Sequence, residues 1–336
     1  MYFKDLLRYR NAWLGCAMIW IFLFHAEVNF GVAVLNKIKD IGYGGVDICL
    51  FASGIGCYYS LTSDSDAVNF LKRRLKRIMP TYFIFIVAWL AYMFLCNDFG
   101  WRMAIGNLFA VQHLTGLEQS FNWYISAILI FYIVAPYFKR LVDKASFGVN
   151  LLVIAFLIIL SIPFWRSFTY IVIATRVPIF YIGMLFGKLC KQDKKMNVAS
   201  AVTLTVMLIA GVAMWFAFLY LLNADLWAYG LYWYPFILIA PPLCILVSYV
   251  ARILEKNRVS KKLLEAVSLI GNYSFEVYLL HLPLVAVVSM LINRYELQNI
   301  SVIVWIASLV CLAIGCFVLR KLTNLVVAFL FKKKHA

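Results

Sequence analysis

Apolar segments of about twenty residues recur along the whole sequence, and no other feature limits the fold so strongly. Ten windows stand out: 11–30, 42–61, 79–96, 123–141, 147–164, 176–190, 198–222, 231–254, 272–293 and 300–319. Crossing a hydrocarbon core of about 30 Å takes about 20 helical residues, with somewhat shorter windows tolerated. In lipid every backbone N–H and C=O must find a partner within the protein, so only helices or closed barrels span. The sequence lacks the ten-residue alternating segments of a barrel, which leaves helices. The expectation is an all-α, polytopic integral membrane protein of about ten transmembrane helices. At 65% hydrophobic and 14% charged residues, nothing remains for a soluble domain of useful size, and 1–336 reads as a single transmembrane domain. The connections are short and free of low-complexity tracts. The first window follows ten residues and precedes no small-residue cleavage pattern, so it reads as a retained helix. Eight scattered cysteines without paired spacing suggest neither a disulfide framework nor a zinc site, and no metal is expected.

The basic residues test this division independently. If connections alternate across the bilayer, Lys37, Lys39, Arg102, Arg166, Arg176 and Arg294 fall on one side, and all the other Lys and Arg fall on the opposite side. By the positive-inside rule both termini are then cytoplasmic. The net charge of +16 is mostly topology, and with no soluble basic module to hold a duplex, nucleic acid is not the expected partner. The lipid bilayer is. The longest connection, 97–122, is external, and its middle part, 101–116, is half apolar and contains His113, as an interfacial or re-entrant helix would be. An eleventh crossing there would invert everything after it, against the charge distribution. Aromatics gather at the outer ends, including Trp101, Trp123, Tyr124, Trp165, Tyr170, Trp227, Tyr229, Tyr232, Trp233 and Tyr234. Most read as interfacial anchors, and a minority as platforms for sugar rings.

Three stretches carry chemistry. His25 ends an apolar run, and an imidazole at membrane depth must face a protein interior or a water-filled cavity, which makes it a candidate functional group. It lies about 22 Å up a helix that runs outward, in the outer third. Asp47 reaches a similar depth from the opposite direction. A carboxylate bonded to one ring nitrogen would fix the tautomer and leave the other nitrogen as a base. Glu27 is a rival partner, and His25 could instead be a satisfied interior histidine. Arg73, Arg74 and Arg77 form a basic cluster before Pro80. Such a cluster at an inner helix end also serves orientation, but Arg73 and Arg77 at i and i+4 share a face suited to clamping phosphates.

These motifs resemble the membrane-bound acyltransferase 3 family at five places in the same order. They are Leu23-Phe24-His25, the stretch from Gly45 through Asp47 to Ser53-Gly54, the stretch from Phe70 through Arg73 and Arg77 to Pro80, Trp123 through Pro136, and Tyr278 through His281 to Pro283. The run Arg176-Val-Pro178-Ile-Phe180-Tyr-Ile-Gly183 is similar to a further family stretch. The resemblance covers about residues 10 to 290. It implies a ten-helix enzyme that takes an acyl group, usually acetyl, from cytoplasmic acyl-coenzyme A and moves it to a carbohydrate hydroxyl at the far face.

On that resemblance His25 matches the family's essential histidine, and Arg73 and Arg77 match its arginine motif, associated with the donor. Many members carry a basic residue where this chain has Leu14, and Arg10, one turn away, is a candidate substitute. Many also carry a glutamate where this chain has Ile128, so that role is vacant or passes to Asp47. The expected site therefore comprises His25 and Asp47 for catalysis, Arg10, Arg73, Arg74 and Arg77 for acetyl-coenzyme A, and Trp123, Tyr124 and Arg176 for the acceptor. His25 would serve as general base or accept the acyl group itself. The expected setting is a bacterial inner membrane, and the expected acceptor a cell-surface polysaccharide or its lipid-linked precursor. The alternative is a transporter or exporter of lipid-linked sugar, which would show internal repeats and broken helices in matching positions. A polymerase using no coenzyme A donor would show long charged outer loops.

Overall fold

A computed structural model of the chain describes residues 1–26, 28–115, 123–222 and 230–330. Among these residues there is no strand, and one isolated antiparallel bridge joins Tyr2 to Lys195. The helices, in chain order, are α1 (Asp5–Arg8), α2 (Arg10–His25), α3 (Ala33–Asp40), α4 (Gly45–Ser63) and α5 (Ala67–Leu95). They continue with α6 (Trp101–Leu108), α7 (Trp123–Lys144), α8 (Phe147–Ser161), α9 (Phe168–Ala174) and α10 (Val177–Lys191). The last are α11 (Val198–Tyr220), α12 (Pro235–Leu254), α13 (Arg258–Asn272), α14 (Ser274–Arg294) and α15 (Ser301–Leu330). Among the described residues, nine helical segments are long and apolar enough to cross a membrane. The chain is an all-α polytopic membrane protein. The apolar α2, at 16 residues, is shorter than these nine.

Several helix ends differ from the apolar windows, each for a local reason. α2 stops at His25, short of residue 30, because polar side chains take over the backbone. Asn29 Oδ1 accepts from Gly31 N at 2.9 Å and from Asn36 Nδ2 at 2.7 Å, and Asn36 Oδ1 accepts from Phe30 N at 3.0 Å. Gly31 supplies the left-handed φ of 68° that this reversal requires. α5 begins at Ala67, well before residue 79, because the Asp66 carboxylate caps it by accepting from Asn69 N at 2.7 Å. The basic cluster is therefore helical, and Arg73 and Arg77 do share a face. α15 runs to Leu330, past residue 319, because Arg320 is neutralised in place by Glu276.

The described residues form two compact units. The first comprises Met1–Ala17, Tyr43–Phe70 and Ala127–Asn272. α4 and α10 pack closely over their length, and a methyl group on Gly54 would lie 2.2 Å from Phe180 O and one on Gly183 2.4 Å from Phe51 O. Small residues let the two backbones meet, as at transmembrane helix crossings generally. The spans containing α4 and α10 each bury 78% of their apolar window, whereas those of α8 and α11 each bury 17%. Side chains in the first turns of α4 and α10 are thus sealed inside this unit. At the amino-terminal end, Glu255 just after α12 accepts from Tyr9 Oη at 2.6 Å and from Arg8 Nη2 at 2.9 Å, and these bonds hold its carboxyl below the usual range.

The second unit comprises Met18–Gly42, Leu71–Ser126 and Tyr273–Ala336. α14 and α15 pair through a bidentate bridge in which Arg320 Nε and Nη2 each reach a Glu276 oxygen at 2.8 Å. The same guanidinium lies 3.7 Å over the Tyr273 ring. Thr323 Oγ1 donates to Thr81 Oγ1 at 3.3 Å, which brings α5 against α15. Tyr82 donates its hydroxyl to Asn107 O, tying α6 to α5, and Trp20 Nε1 donates to Ile38 O at 2.6 Å, tying α3 to α2.

Candidate active site

His25 is the last residue of α2, half-buried, with Nδ1 2.9 Å from Ile21 O one turn back. A carbonyl oxygen only accepts, so Nδ1 carries the hydrogen and Nε2 holds the lone pair. The backbone thus fixes the tautomer, the task that sequence analysis gives to a carboxylate. His281 on α14 is a ring partner across helices, with centroids 5.1 Å apart and planes at 62°. Its Nδ1 is 2.7 Å from Tyr278 O and 3.2 Å from Val277 O, so by the same reasoning its Nε2 is also a lone-pair nitrogen. That nitrogen is buried and has no hydrogen-bond partner.

A series of rings continues from this pair within the second unit. His281 lies 5.8 Å from Tyr278, Tyr278 lies 4.9 Å from Tyr124, Tyr124 lies 6.3 Å from Trp123, and Trp123 lies 6.4 Å from His113. The rings come from α14, from the first turn of α7, and from the short 3-10 turn Gln112–Thr115 that follows α6. The helical structure between 101 and 115 places His113 in the interior, 3% exposed. Tyr124 is buried as well, whereas Trp123 is half-buried.

In the first unit, Asp47 occupies the first turn of α4, and Arg176 precedes α10 as its N-terminal cap residue. Arg176 Nε is 3.5 Å from Asp47 Oδ1, and the two side chains are 2% and 1% exposed. The guanidinium also donates from Nη1 to Val172 O at 2.9 Å and lies 4.7 Å from the centre of the Trp233 ring. Trp233, which the outer aromatic belt would make an anchor, is buried as the platform for this cation. The two residues that sequence analysis singles out for separate tasks thus form one buried ion pair. Glu27, Trp227 and Tyr229 lie outside the described residues.

The arginines of α5 divide by face. Arg73 and Arg77 are exposed, and Arg74, at 7% exposure, turns inward. Arg10 begins α2 in the first unit and is half-buried. Leu14 is buried beside Gly15, where a methyl group would lie 2.0 Å from Val267 O of α13. Among the described residues, no three His, Cys, Asp or Glu side chains converge as a metal site would require.

A model of the acyltransferase domain of the acyltransferase 3 family matches residues 11–321. The chain belongs to the acyltransferase 3 family. No curated protein and no solved structure matched it in separate comparisons. As a member of the acyltransferase 3 family the chain is a multi-pass membrane acyltransferase embedded in a lipid bilayer. The matched region contains His25, Asp47, Arg73, Arg74, Arg77, Trp123, Tyr124 and Arg176, and Arg10 is the residue just before it. It extends past residue 290 into α15 and so takes in Arg320, the partner of Glu276. His281, Tyr278 and Trp233 are the acyltransferase residues whose place sequence analysis does not assign. His281 carried a further signal, an ionisable group inside an apolar window like that of His25.

Proposed function

We propose that this acyltransferase moves an acetyl group from cytoplasmic acetyl-coenzyme A to a hydroxyl of a cell-surface polysaccharide, or its lipid-linked precursor, at the outer face of a bacterial inner membrane. The observation that carries the reading is His25, whose Nδ1 is committed to Ile21 O and whose Nε2 is therefore the proton-accepting nitrogen. In the proposed reaction Nε2 takes the hydroxyl proton as the oxygen attacks the thioester carbonyl. The C–S bond then breaks, and the departing thiolate recovers the proton from His25, giving an ester and free thiol. General base catalysis of this kind contributes about 10²–10⁴-fold. The transient imidazolium sits at the carbonyl end of α2, where the helix dipole favours positive charge.

Coenzyme A is a polyanion on a long flexible arm, so the proposal holds its phosphates at the basic face and sends only the thioester inward. Arg73 and Arg77, exposed one turn apart, supply a pair of guanidinium forks for those phosphates, with Arg74 and Arg10 as further candidates. Of the acceptor candidates, the half-buried Trp123 is the one proposed to stack on a sugar, whereas Tyr124 and Arg176 are buried, each within its own unit. Arg73→Ala and Arg77→Ala are each expected to weaken donor binding roughly 10- to 150-fold, the value of one charge-assisted contact of about 1.5–3 kcal/mol. Lysine at either position should restore only part, because an ammonium cannot make the bidentate fork. Equilibrium binding of acetyl-coenzyme A to membranes at low salt checks this, and wild-type affinity in both alanine variants would contradict the donor assignment.

A further inference from the structure

Helix α13 has no task in the mechanism above. It joins α12 to α14, both long and apolar enough to cross the membrane. At 15 residues it is about 22 Å long, short of the core of about 30 Å, and it carries Arg258, Lys261, Lys262 and Glu265, so it belongs at the membrane surface. Its start is fixed by Asn257, whose Oδ1 accepts from Val259 N at 2.9 Å, and by Ser260, whose hydroxyl donates to Leu254 O at 2.7 Å. Packing on the first turns of α2 fixes how it is rolled about its own axis. A methyl group on Gly271 would lie 1.8 Å from Asn11 O, one on Gly15 would lie 2.0 Å from Val267 O, and Leu264 packs against Tyr9, Ala12 and Ala251.

With Leu264, Val267 and Gly271 turned to that contact, a second apolar side of the helix is left open. Val259, Leu263 and Ala266 recur at i, i+4 and i+7 and so share a face, on which Val259 is 80% and Leu263 63% exposed. The exposed Leu269 widens this stripe toward Arg258 and Lys262. Lys261 pairs with Glu265 at 3.9 Å, whereas among the described residues Arg258 and Lys262 have no acidic partner. An apolar stripe rimmed by polar side chains marks an interaction surface. Four side chains fall well short of the roughly 20 residues a side of a stable protein interface. On a helix held between two spans, an apolar stripe with a basic edge fits a bilayer surface that carries negative charge.

We infer that α13 is an in-plane lipid-binding helix, its Val259, Leu263, Ala266 and Leu269 side chains entering the acyl-chain boundary and its Arg258 and Lys262 side chains taking the phosphates of anionic phospholipid headgroups. The inference stands apart from the acyl-transfer reading and from the roles given to His25 and the α5 arginines.

The whole protein in lipid nanodiscs tests it, with an environment-sensitive fluorescent amino acid in place of Val259 in one sample and of Glu265 in another. Bromine-labelled phospholipids quench from within the bilayer, and iodide quenches from water. The probe at 259 is expected to be quenched by brominated lipid and shielded from iodide, and the probe at 265 to behave in the reverse way. In phosphatidylcholine discs, brominated phosphatidylglycerol should quench the 259 probe at a lower mole fraction than brominated phosphatidylcholine, by roughly fivefold for each of the two basic residues. Arg258→Gln combined with Lys262→Gln should abolish that preference, and both side chains are exposed, so the packing on α2 is untouched. Iodide quenching at 259 as strong as at 265, or equal quenching by the two brominated lipids with both basic residues in place, would overturn the inference. So would shielding at 259 from both quenchers that is lost in discs holding one copy, because a second copy of the chain would then cover the stripe.

Discussion

His25→Gln is expected to insert at wild-type level, to bind acetyl-coenzyme A normally, and to lose about 10²–10⁴-fold in acyl transfer, the usual contribution of a general base. Glutamine keeps a similar volume and one donor and one acceptor, but it cannot titrate near neutral pH. The half-buried ring at the end of α2 makes one backbone hydrogen bond, Nδ1 to Ile21 O, and ring contacts with Phe24 and His281. A packing residue with so few partners would tolerate the amide, and protein level and activity would then both stay near normal. The catalytic reading separates them. Protein level, donor binding and acetylated glycan measured in the same membranes decide the matter, and normal acetylation by a well-expressed variant would remove His25 from the mechanism.

Arg176→Leu is expected to destabilise the protein by about 3–5 kcal/mol, because it strands the Asp47 carboxylate in the interior of the first unit without its cation. Asp47 is 1% exposed, and neither of its oxygens has a hydrogen-bond partner, so the guanidinium 3.5 Å away is the charge that compensates it. Lysine should restore little, since Arg176 also bonds Val172 O and lies over Trp233, contacts that an ammonium does not reproduce together. Removing both charges is milder than removing one. The double variant Asp47→Leu with Arg176→Leu should be more stable than Arg176→Leu alone, because no uncompensated charge remains. Thermal unfolding in detergent gives the comparison, and a single variant that melts like the wild type would show that the pair contributes no stability.

Hydropathy made the helical, polytopic class legible because a hydrocarbon core admits few alternatives, but it carried no information about helix ends. Those depend on capping by Asp66, on the Asn29–Asn36 reversal, and on an arginine neutralised by a glutamate 44 positions away in sequence. His25 stood out because an imidazole in an apolar run is rare in itself. Asp47 stood out for the same reason and Arg176 through the resemblance of its stretch, yet their pairing was hidden, since it depends on the register set by Gly54 and Gly183 across α4 and α10. His281 carried the same signal as His25 and was left without a task because the sequence does not show which group its ring faces. Its partner is another histidine, on a helix more than 250 positions earlier.

On the proposed mechanism, an acyl group given up by coenzyme A at the basic face reaches a hydroxyl at the other face through the site at His25. Sealed inside-out membrane vesicles carrying the protein and its acceptor, supplied outside with acetyl-coenzyme A labelled in the acetyl group, test it most directly. Labelled glycan is expected in the lumen of wild-type vesicles and none in His25→Gln vesicles of equal protein content. Lumenal glycan labelled equally in both, or labelled only when the donor is sealed inside with it, would contradict the claim.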